Sequence, residues 1–581
     1  MQEQQKRFTA SDGAELFYRY RPAASGQTDR AIVLFHRGHE HSGRMIFLAD
    51  ELQLDDFAFF AWDARGHGHS PGERGDSPSL ARSVQDVQEF MAHIQATYGL
   101  AQEQLAVVAQ SVGAVLVATW LHDYAPKIRC AVLASPAFKV KLYVPWARPG
   151  LRLLHKLRGN FFVNSYVKAR YLTHDPERIA SYDSDSLIAR AISVRILLGL
   201  YDAADRVVAD AAAIGTPVQL LVSGSDWVVH HAPQHAFFNR LGSLVKERQV
   251  LPGFYHDTLG EQKRELALQH IRRFVRERFE SPLELPDMRQ AHRQGVSRRE
   301  ADELATPLSP LTPRGAWWAL QRWVIRLGRH GSEGIRLGVQ TGFDSGSTLD
   351  YVYRNEARGS HALGRLMDRN YLDAIGWRGI RQRKVHLGQA IQGAMQALRA
   401  AGKPVHVLDI AAGHGRYVLD ALTDAQQPDS IRLRDYSDLN VQAGRTLIAE
   451  RGLQAIASFE AADAYEPANY RQLQPRPTLG IVSGLHELFP DNDLVMRSLQ
   501  GLGEAIEAGG YLIYTGQPWH PQLEMIARCL SSHRGGQNWV MRRRSQLEMD
   551  QLVESAGFRK VQQWIDADGI FTVSLAVRQG D

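Results

Sequence analysis

Three side chains far apart in the chain, Ser111, Asp226 and His256, have the types and the order that nucleophilic acyl transfer requires. Ser111 falls between a valine-rich apolar run at 105–109, read as a buried strand, and a helix-like run at 114–120. It therefore sits in a strand-to-helix turn, with Ala109 two residues before it and Gly113 two residues after. Such a turn demands small neighbours, because a larger side chain strikes the strand or the helix. Asp226 ends the segment Ser223-Gly224-Ser225-Asp226 after a strand-like run at 217–222, and His256 ends Gly253-Phe254-Tyr255-His256 after another at 247–251. Brought together, the serine attacks a carbonyl, the histidine takes and returns its proton, and the aspartate holds the imidazole tautomer and steadies its charged form.

A second group of residues with chemistry lies in the C-terminal half. The stretch 404–419 reads as a buried strand, a small-residue loop bearing Ala411, Gly413 and Gly415, and the start of a helix, with Asp409 closing the strand. Small residues there let a nucleotide-like ligand approach the backbone at the strand's carboxyl end. Asp435 ends the next strand, where an acid can accept hydrogen bonds from both hydroxyls of a ribose, and Asp463 follows a third strand, placed to meet an adenine amino group. His486 and Glu487 follow the fourth strand, 479–484, either as a proton-accepting pair or as a structural pair capping the next helix.

The elements that must position these residues form two large α/β units, since 581 residues exceed one core. The expected boundaries are a first domain at 1–280, a proline-rich, charged linker at 281–334, and a second domain at 335–581. Within the first, a strand at 31–35 runs into the polar loop from His36 to Arg44, which can lend a backbone N–H to a developing oxyanion. A strand at 57–62 leads to the loop from Asp63 to Ser70; its histidines meet no strict ligand spacing, so the expectation is a hydrogen-bonded surface loop and no metal site. The less regular region 138–210 is expected to form a lid, with Tyr143, Val144, Trp146, Leu151, Leu153 and Leu154 lining an acyl-chain pocket or forming the lid's own small core. In the linker, 314–329 reads as an amphipathic helix of tryptophans and arginines that either lies at a lipid surface or packs across a domain interface.

A net charge of +5 over this length gives no argument for a nucleic-acid partner, and the two cysteines, Cys130 and Cys529, imply neither a disulfide framework nor a metal site. The N-terminal residues lack a secretory apolar stretch and no run is long enough to span a bilayer, so the expected location is the cytoplasm, peripheral to the inner face of the membrane if 314–329 takes the lipid-facing reading. The oligomeric state is not legible.

The segments 36–44 and 63–70, with Ser111, Asp226 and 253–256, resemble the monoacylglycerol lipase and lysophospholipase branch of the α/β hydrolases, which is serine aminopeptidase S33-like, over about residues 8–278. The resemblance implies a small amphipathic ester as substrate and an oxyanion hole made by Gly38 and Val112. Arg37 stands where the branch usually has glycine and Ala109 replaces the first elbow glycine, and both are expected to crowd the oxyanion hole or its approach. Over about 335–578 the chain resembles a class I methyltransferase dependent on S-adenosyl-L-methionine; this implies a cofactor-binding loop that includes Ala411 and Gly415, with Asp409 and Gly413 bordering the methionine part, Asp435 the ribose and Asp463 the adenine ring. Val418 stands where a dinucleotide-binding loop would have its third glycine. The resulting expectation is a fused serine ester hydrolase and methyltransferase of unread acceptor. The rival is a methyltransferase joined to a catalytically weak, lipid-sensing hydrolase-like domain.

Overall fold

The computed structural model describes residues 2–580 apart from 27, 143, 145, 165–166, 424–426 and 472. The chain divides into two compact units, Met1–Pro286 and Asp287–Asp581.

The strands of the first unit are β1 (Gln4–Thr9), β2 (Glu15–Arg21), β3 (Ala31–Phe35), β4 (Ala58–Trp62), β5 (Leu105–Gln110), β6 (Cys130–Ala134), β7 (Phe162–Asn164), β8 (Ala191–Ser193), β9 (Val218–Ser223) and β10 (Lys246–Leu251). Among the described residues they form a sheet of order β1-β2-β4-β3-β5-β6-β9-β10, antiparallel at β1/β2 and β2/β4 and parallel elsewhere, with β7 and β8 apart as a two-stranded ribbon. Every residue of β3, β5, β6 and β9 is buried, which is why these strands read as unbroken apolar runs. The helix Glu265–Glu280 packs Leu268, Ile271 and Phe274 against Ile32, Val108 and Val132, each fully buried side chain contributing roughly 1.5–3 kcal/mol.

The lid region carries the helices Ala147–Arg158, Pro176–Ser184 and Val194–Ala209 together with β7 and β8. Its two ends are held differently. Near Pro176–Ser184, Arg37 Nη2 and Arg44 Nε donate to the same buried Glu40 oxygen at 2.8 and 2.6 Å, and Arg44 Nη1 donates to Ser181 Oγ at 3.0 Å. The Arg37 and Arg44 guanidinium groups lie 5.4 and 5.7 Å from the ring centre of the buried Tyr182, and Arg178 Nε donates to the buried Asp257 at 3.1 Å. The helix Ala147–Arg158, by contrast, buries none of its residues and pairs through Arg148 with Asp202 and Asp205, both exposed, at 2.8 and 2.6 Å. Trp146 is 84% exposed, and Val144, Leu153 and Leu154 are exposed as well. These side chains therefore neither line an acyl pocket nor form a lid core, because the helix is attached through charged residues and leaves its apolar stripe outward. Leu151 is half-buried, and Tyr143 lies outside the described residues.

The second unit contains β11 (His406–Asp409), β12 (Ser430–Asp435), β13 (Ala457–Ala461), β14 (Leu479–Val482), β15 (Tyr511–Gly516), β16 (Phe558–Ile565) and β17 (Thr572–Arg578). Their order is β13-β12-β11-β14-β15-β17-β16, with β17 antiparallel to both neighbours and the other pairs parallel. Successive residues of β11 serve opposite faces. Val407 packs with Leu387, Ile391 and Leu398 of the helix Ile375–Ala400, while Leu408 packs with Val495, Leu499 and Leu552 of the helices Asn492–Ala505 and Gln546–Ser555. The sheet is Rossmann-like, with one antiparallel strand inserted near its edge.

The expected linker at 281–334 is, from Asp287 onward, part of this unit. Arg542, fully buried on Glu548 at 2.6 Å, also donates to Ser297 Oγ at 2.9 Å; Arg543 pairs with Glu300 at 2.5 Å, and Arg528 donates to the Glu303 carbonyl at 2.8 Å. Residues that look loop-like in sequence, Ser297 and Glu300, are the partners of arginines some 240 residues later. The helix Pro313–Gly328 turns Trp318 and Ile325 inward and leaves Trp317, Leu320, Trp323 and Leu327 exposed. No helix among the described residues is long and apolar enough to cross a membrane.

Candidate active sites

The end of β5 delivers Ser111 into the helix Val112–Tyr124 with φ 55° and ψ −114°, a left-handed conformation that non-glycine residues adopt only under constraint. The constraint is visible: Ser111 N–H donates to the Ala134 carbonyl at 2.9 Å, and its carbonyl accepts from Ala137 N–H at 3.1 Å. A Cβ added to Gly113 would overlap the His36 carbonyl and lie 2.8 Å from that of Phe35, so only glycine lets the helix start this close to β3. Ser111 Oγ lies 2.7 Å from His256 Nε2, and His256 Nδ1 lies 2.8 Å from Asp226 Oδ2. Asp226 Oδ1 accepts from the backbone N–H groups of Val228 and Val229 at 2.7 and 2.9 Å. Burial pushes this carboxyl up, but the charge and hydrogen bond of His256 and the two amides outweigh it and hold Asp226 below the ordinary carboxylate value. The three side chains form one continuous chain at the carboxyl ends of β5, β9 and β10.

Gly38 and Val112 also meet: a Cβ on Gly38 would lie 2.9 Å from Val112 Cγ2. Among the described residues neither backbone N–H donates to a protein acceptor, which leaves both for a substrate oxygen. The two expected crowding residues do not crowd. Arg37 is drawn off by Glu40 and Tyr182, and Ala109 is wholly buried in β5 opposite Phe35 and Leu133 without disturbing the elbow. The histidine loops are braced by hydrogen bonds, as in Ala64 N–H to His36 Nε2 at 3.0 Å and His69 N–H to Asp63 at 2.7 Å. A positioning residue that the sequence does not advertise is Gln110, whose Nε2 donates to the His256 carbonyl at 3.2 Å and to Asp257 Oδ1 at 3.0 Å. It pins the histidine loop to the strand that carries the serine.

In the second unit the sheet reverses direction of growth between β11 and β14, so a crevice opens beyond the carboxyl ends of those strands. Gly413 and Gly415 line its floor with φ 58° and 74°, and a Cβ on Gly415 would overlap Leu433 Cδ1. Asp435 Oδ2 accepts from Gly413 N–H at 2.9 Å, and its Oδ1 accepts from Ser437 N–H at 2.9 Å and Asn440 Nδ2 at 3.0 Å. A carboxylate offers about four acceptor positions, so one remains for a ribose hydroxyl and not the expected two. Asp463 is exposed beyond β13, its Oδ1 accepting from Tyr465 N–H at 2.8 Å.

Two expected residues of this group stand elsewhere. Asp409 is wholly buried beneath the loop, accepting from Tyr417 Oη and, at 3.4 Å, from Ala411 N–H; burial pushes its carboxyl up to about 7. It braces the loop and does not border a ligand, because the Tyr417 ring closes it off. His486 is turned under the helix Asn492–Ala505, with Nε2 2.7 Å from Ser498 Oγ, and burial together with the nearby Arg544 charge pushes its imidazole down to about 3. It is a neutral structural histidine. Glu487, its neighbour, faces a cleft with Trp377, Ile380, Arg383, Gln517 and Phe571, where its Oε1 accepts from Thr515 Oγ1 at 2.7 Å.

Residues 271–578, more than half of the chain, match the family described as "Putative methyltransferase", and residues 26–263 match "Serine aminopeptidase, S33". The chain is 57% identical over 572 residues to "Uncharacterized protein YnbC" of Escherichia coli (strain K12), covering 98% of each. It is 26% identical to "Monoacylglycerol lipase" of Mycolicibacterium smegmatis over 42% of this chain and 87% of the relative, and 29% identical to "Monoglyceride lipase" of Mus musculus over 42% and 81%. The chain thus belongs to the same family as YnbC, in which a hydrolase unit related to monoglyceride lipases precedes a domain of the methyltransferase family.

Proposed function

We propose that the first unit is a serine hydrolase cleaving the carboxylic ester of a small amphipathic lipid, of the monoacylglycerol or lysophospholipid kind. The observation that carries this is the unbroken relay from Ser111 through His256 to Asp226, beside two backbone N–H groups with no protein acceptor. Ser111 Oγ attacks the ester carbonyl while His256 Nε2 takes its proton, and Gly38 and Val112 N–H stabilise the oxyanion. The imidazolium, steadied by Asp226, protonates the departing alcohol; water activated by the same histidine then frees the acid. The outward apolar stripe around Trp146 and Leu157 supports a substrate presented at a lipid–water boundary. A fluorophosphonate probe tests the assignment: covalent label on Ser111 in the whole protein is expected, and its absence would sink the reading.

The second unit, on this proposal, is a methyltransferase dependent on S-adenosyl-L-methionine, which when bound supplies a methyl group activated on sulfonium. The crevice suits it: the glycine loop admits close approach, Asp435 keeps one acceptor position, and Asp463, exposed beyond β13, is the group assigned to the adenine amino group. The antiparallel β17 and Val418 in place of a third glycine count against a dinucleotide. Asp435→Ala removes a charge-assisted hydrogen bond of about 1.5–3 kcal/mol, so calorimetric titration should show affinity for S-adenosylmethionine falling roughly 10- to 100-fold. Unchanged affinity, or heat from NAD instead, would refute the assignment.

A further inference from the structure

The cleft containing Glu487 has walls of one character and an inner end of another. Trp377, Ile380, Met525, Trp539 and Phe571 make the walls apolar and largely flat, while Arg383 on the helix Ile375–Ala400, Glu487 beyond β14 and Gln517 just after β15 supply polarity. Among the described residues, four buried polar atoms of this lining lack a hydrogen-bond partner: the donors Arg383 Nε, Gln517 Nε2 and Trp539 Nε1, and the acceptor Glu487 Oε2. Arg383 and Glu487 stand 3.9 Å apart, too far to satisfy one another directly, and the Arg383 guanidinium lies 5.2 Å from the Phe571 ring centre. Leaving such groups unpaired costs stability unless a ligand completes them.

The donor and acceptor inventory selects among acceptor groups. A carboxylate brings only acceptors and sets its charge against Glu487. An ammonium brings only donors and sets its charge against Arg383. A hydroxyl brings both, and a flat ring suits the tryptophan and phenylalanine walls. We propose that this cleft binds a hydroxylated ring compound, phenolic or enolic, and that the unit methylates its oxygen. The inference rests on the methyltransferase reading above. In the step, the hydroxyl proton passes to Glu487 Oε2, the oxygen lone pair forms the new O–CH3 bond as the CH3–S bond breaks, and the sulfur leaves as a neutral thioether. Arg383 steadies the negative charge that gathers on oxygen. Proton removal falls to Glu487, which lines the cleft, whereas its neighbour His486 faces Ser498 instead.

Three probes with one ring system and different acceptor groups test this: 4-phenylphenol, biphenyl-4-carboxylic acid and 4-phenylbenzylamine, each incubated with the full-length protein and S-adenosylmethionine carrying a labelled methyl group. Label is expected in the phenol alone. Glu487→Gln should slow transfer about 10²- to 10³-fold near neutral pH while calorimetric affinity for S-adenosylmethionine stays, and Glu487→Asp should recover part of the rate. The loss should shrink above about pH 10, where a phenol ionises without a base, a response that a merely structural role would not give. Label in the acid or the amine, label in none of the three although S-adenosylmethionine binds, or an unaffected Glu487→Gln variant would overturn the hydroxyl assignment. Absence of any S-adenosylmethionine binding would instead overturn the reading on which it rests.

Discussion

Replacing Ser111 with alanine is expected to lower hydrolysis of a short-chain acyl ester by at least about 10⁴-fold, because the attacking oxygen is gone while the oxyanion donors and the His256–Asp226 pair remain. The same position allows a second, opposite readout. Ser111 holds φ 55°, a conformation that costs a residue with a Cβ roughly 1–3 kcal/mol and costs glycine little. Ser111→Gly should therefore be as inactive as Ser111→Ala yet unfold at a higher temperature than that variant. Calorimetry on the two proteins, run beside an ester assay, checks both halves. Residual turnover in either variant near the parent rate would remove Ser111 from the chemistry, and equal melting temperatures would remove the strain.

Asp226→Asn is expected to cost about 10⁴-fold in the same assay with little change in fold, since the amide is nearly isosteric but lets the histidine adopt the wrong tautomer. The carboxylate is committed on both sides: Oδ2 faces His256 Nδ1 at 2.8 Å, and Oδ1 accepts from the Val228 and Val229 amides. Its lowered proton affinity gives the sign of a pH effect. A carboxyl depressed in the folded state adds stability that is present above its unfolded value near 3.9 and is lost as pH falls through the lower folded value. The parent protein should therefore lose stability in acid more steeply than Asp226→Asn below about pH 4. Parallel acid unfolding curves would show that the carboxylate is not held as the geometry has it.

Much of this arrangement could be read from residues because Ser111 and Asp226 follow the buried parallel strands β5 and β9, which announce themselves as apolar runs, while His256 follows the partly exposed edge strand β10. The glycine loop and Asp435 were legible for the same reason. What escaped the sequence depended on direction. Asp409, Ala411 and Gly413 occupy alternate positions of one short stretch, yet Tyr417, eight residues beyond Asp409, seals the first of them away from the crevice. His486 and Glu487 are neighbours that point oppositely, one to Ser498 and one into the cleft. Arg383 was indistinguishable from the surface arginines around it, since its burial is decided by the helix packing over β11 and β14. The segment 287–312 signalled a loose join because the groups that hold Ser297, Glu300 and the Glu303 carbonyl, Arg542, Arg543 and Arg528, lie more than 200 residues away.

The unequal fastening of the lid has a consequence for how the hydrolase unit responds to dissolved salt. At 0.15 M ionic strength exposed charges separated by more than about 8 Å no longer feel one another, and close exposed pairs are weakened, whereas pairs withdrawn from water are screened far less. The bridges of Arg148 to Asp202 and Asp205 belong to the first class, and the Glu40 and Asp257 clusters to the second. Raising sodium chloride from 0.05 to about 1 M should thus loosen Ala147–Arg158 while the segment around Tyr182 stays seated. Amide hydrogen exchange would register faster labelling in the first segment alone, so that an electrolyte acts on this lid as a one-ended release; uniform acceleration across both segments would contradict it.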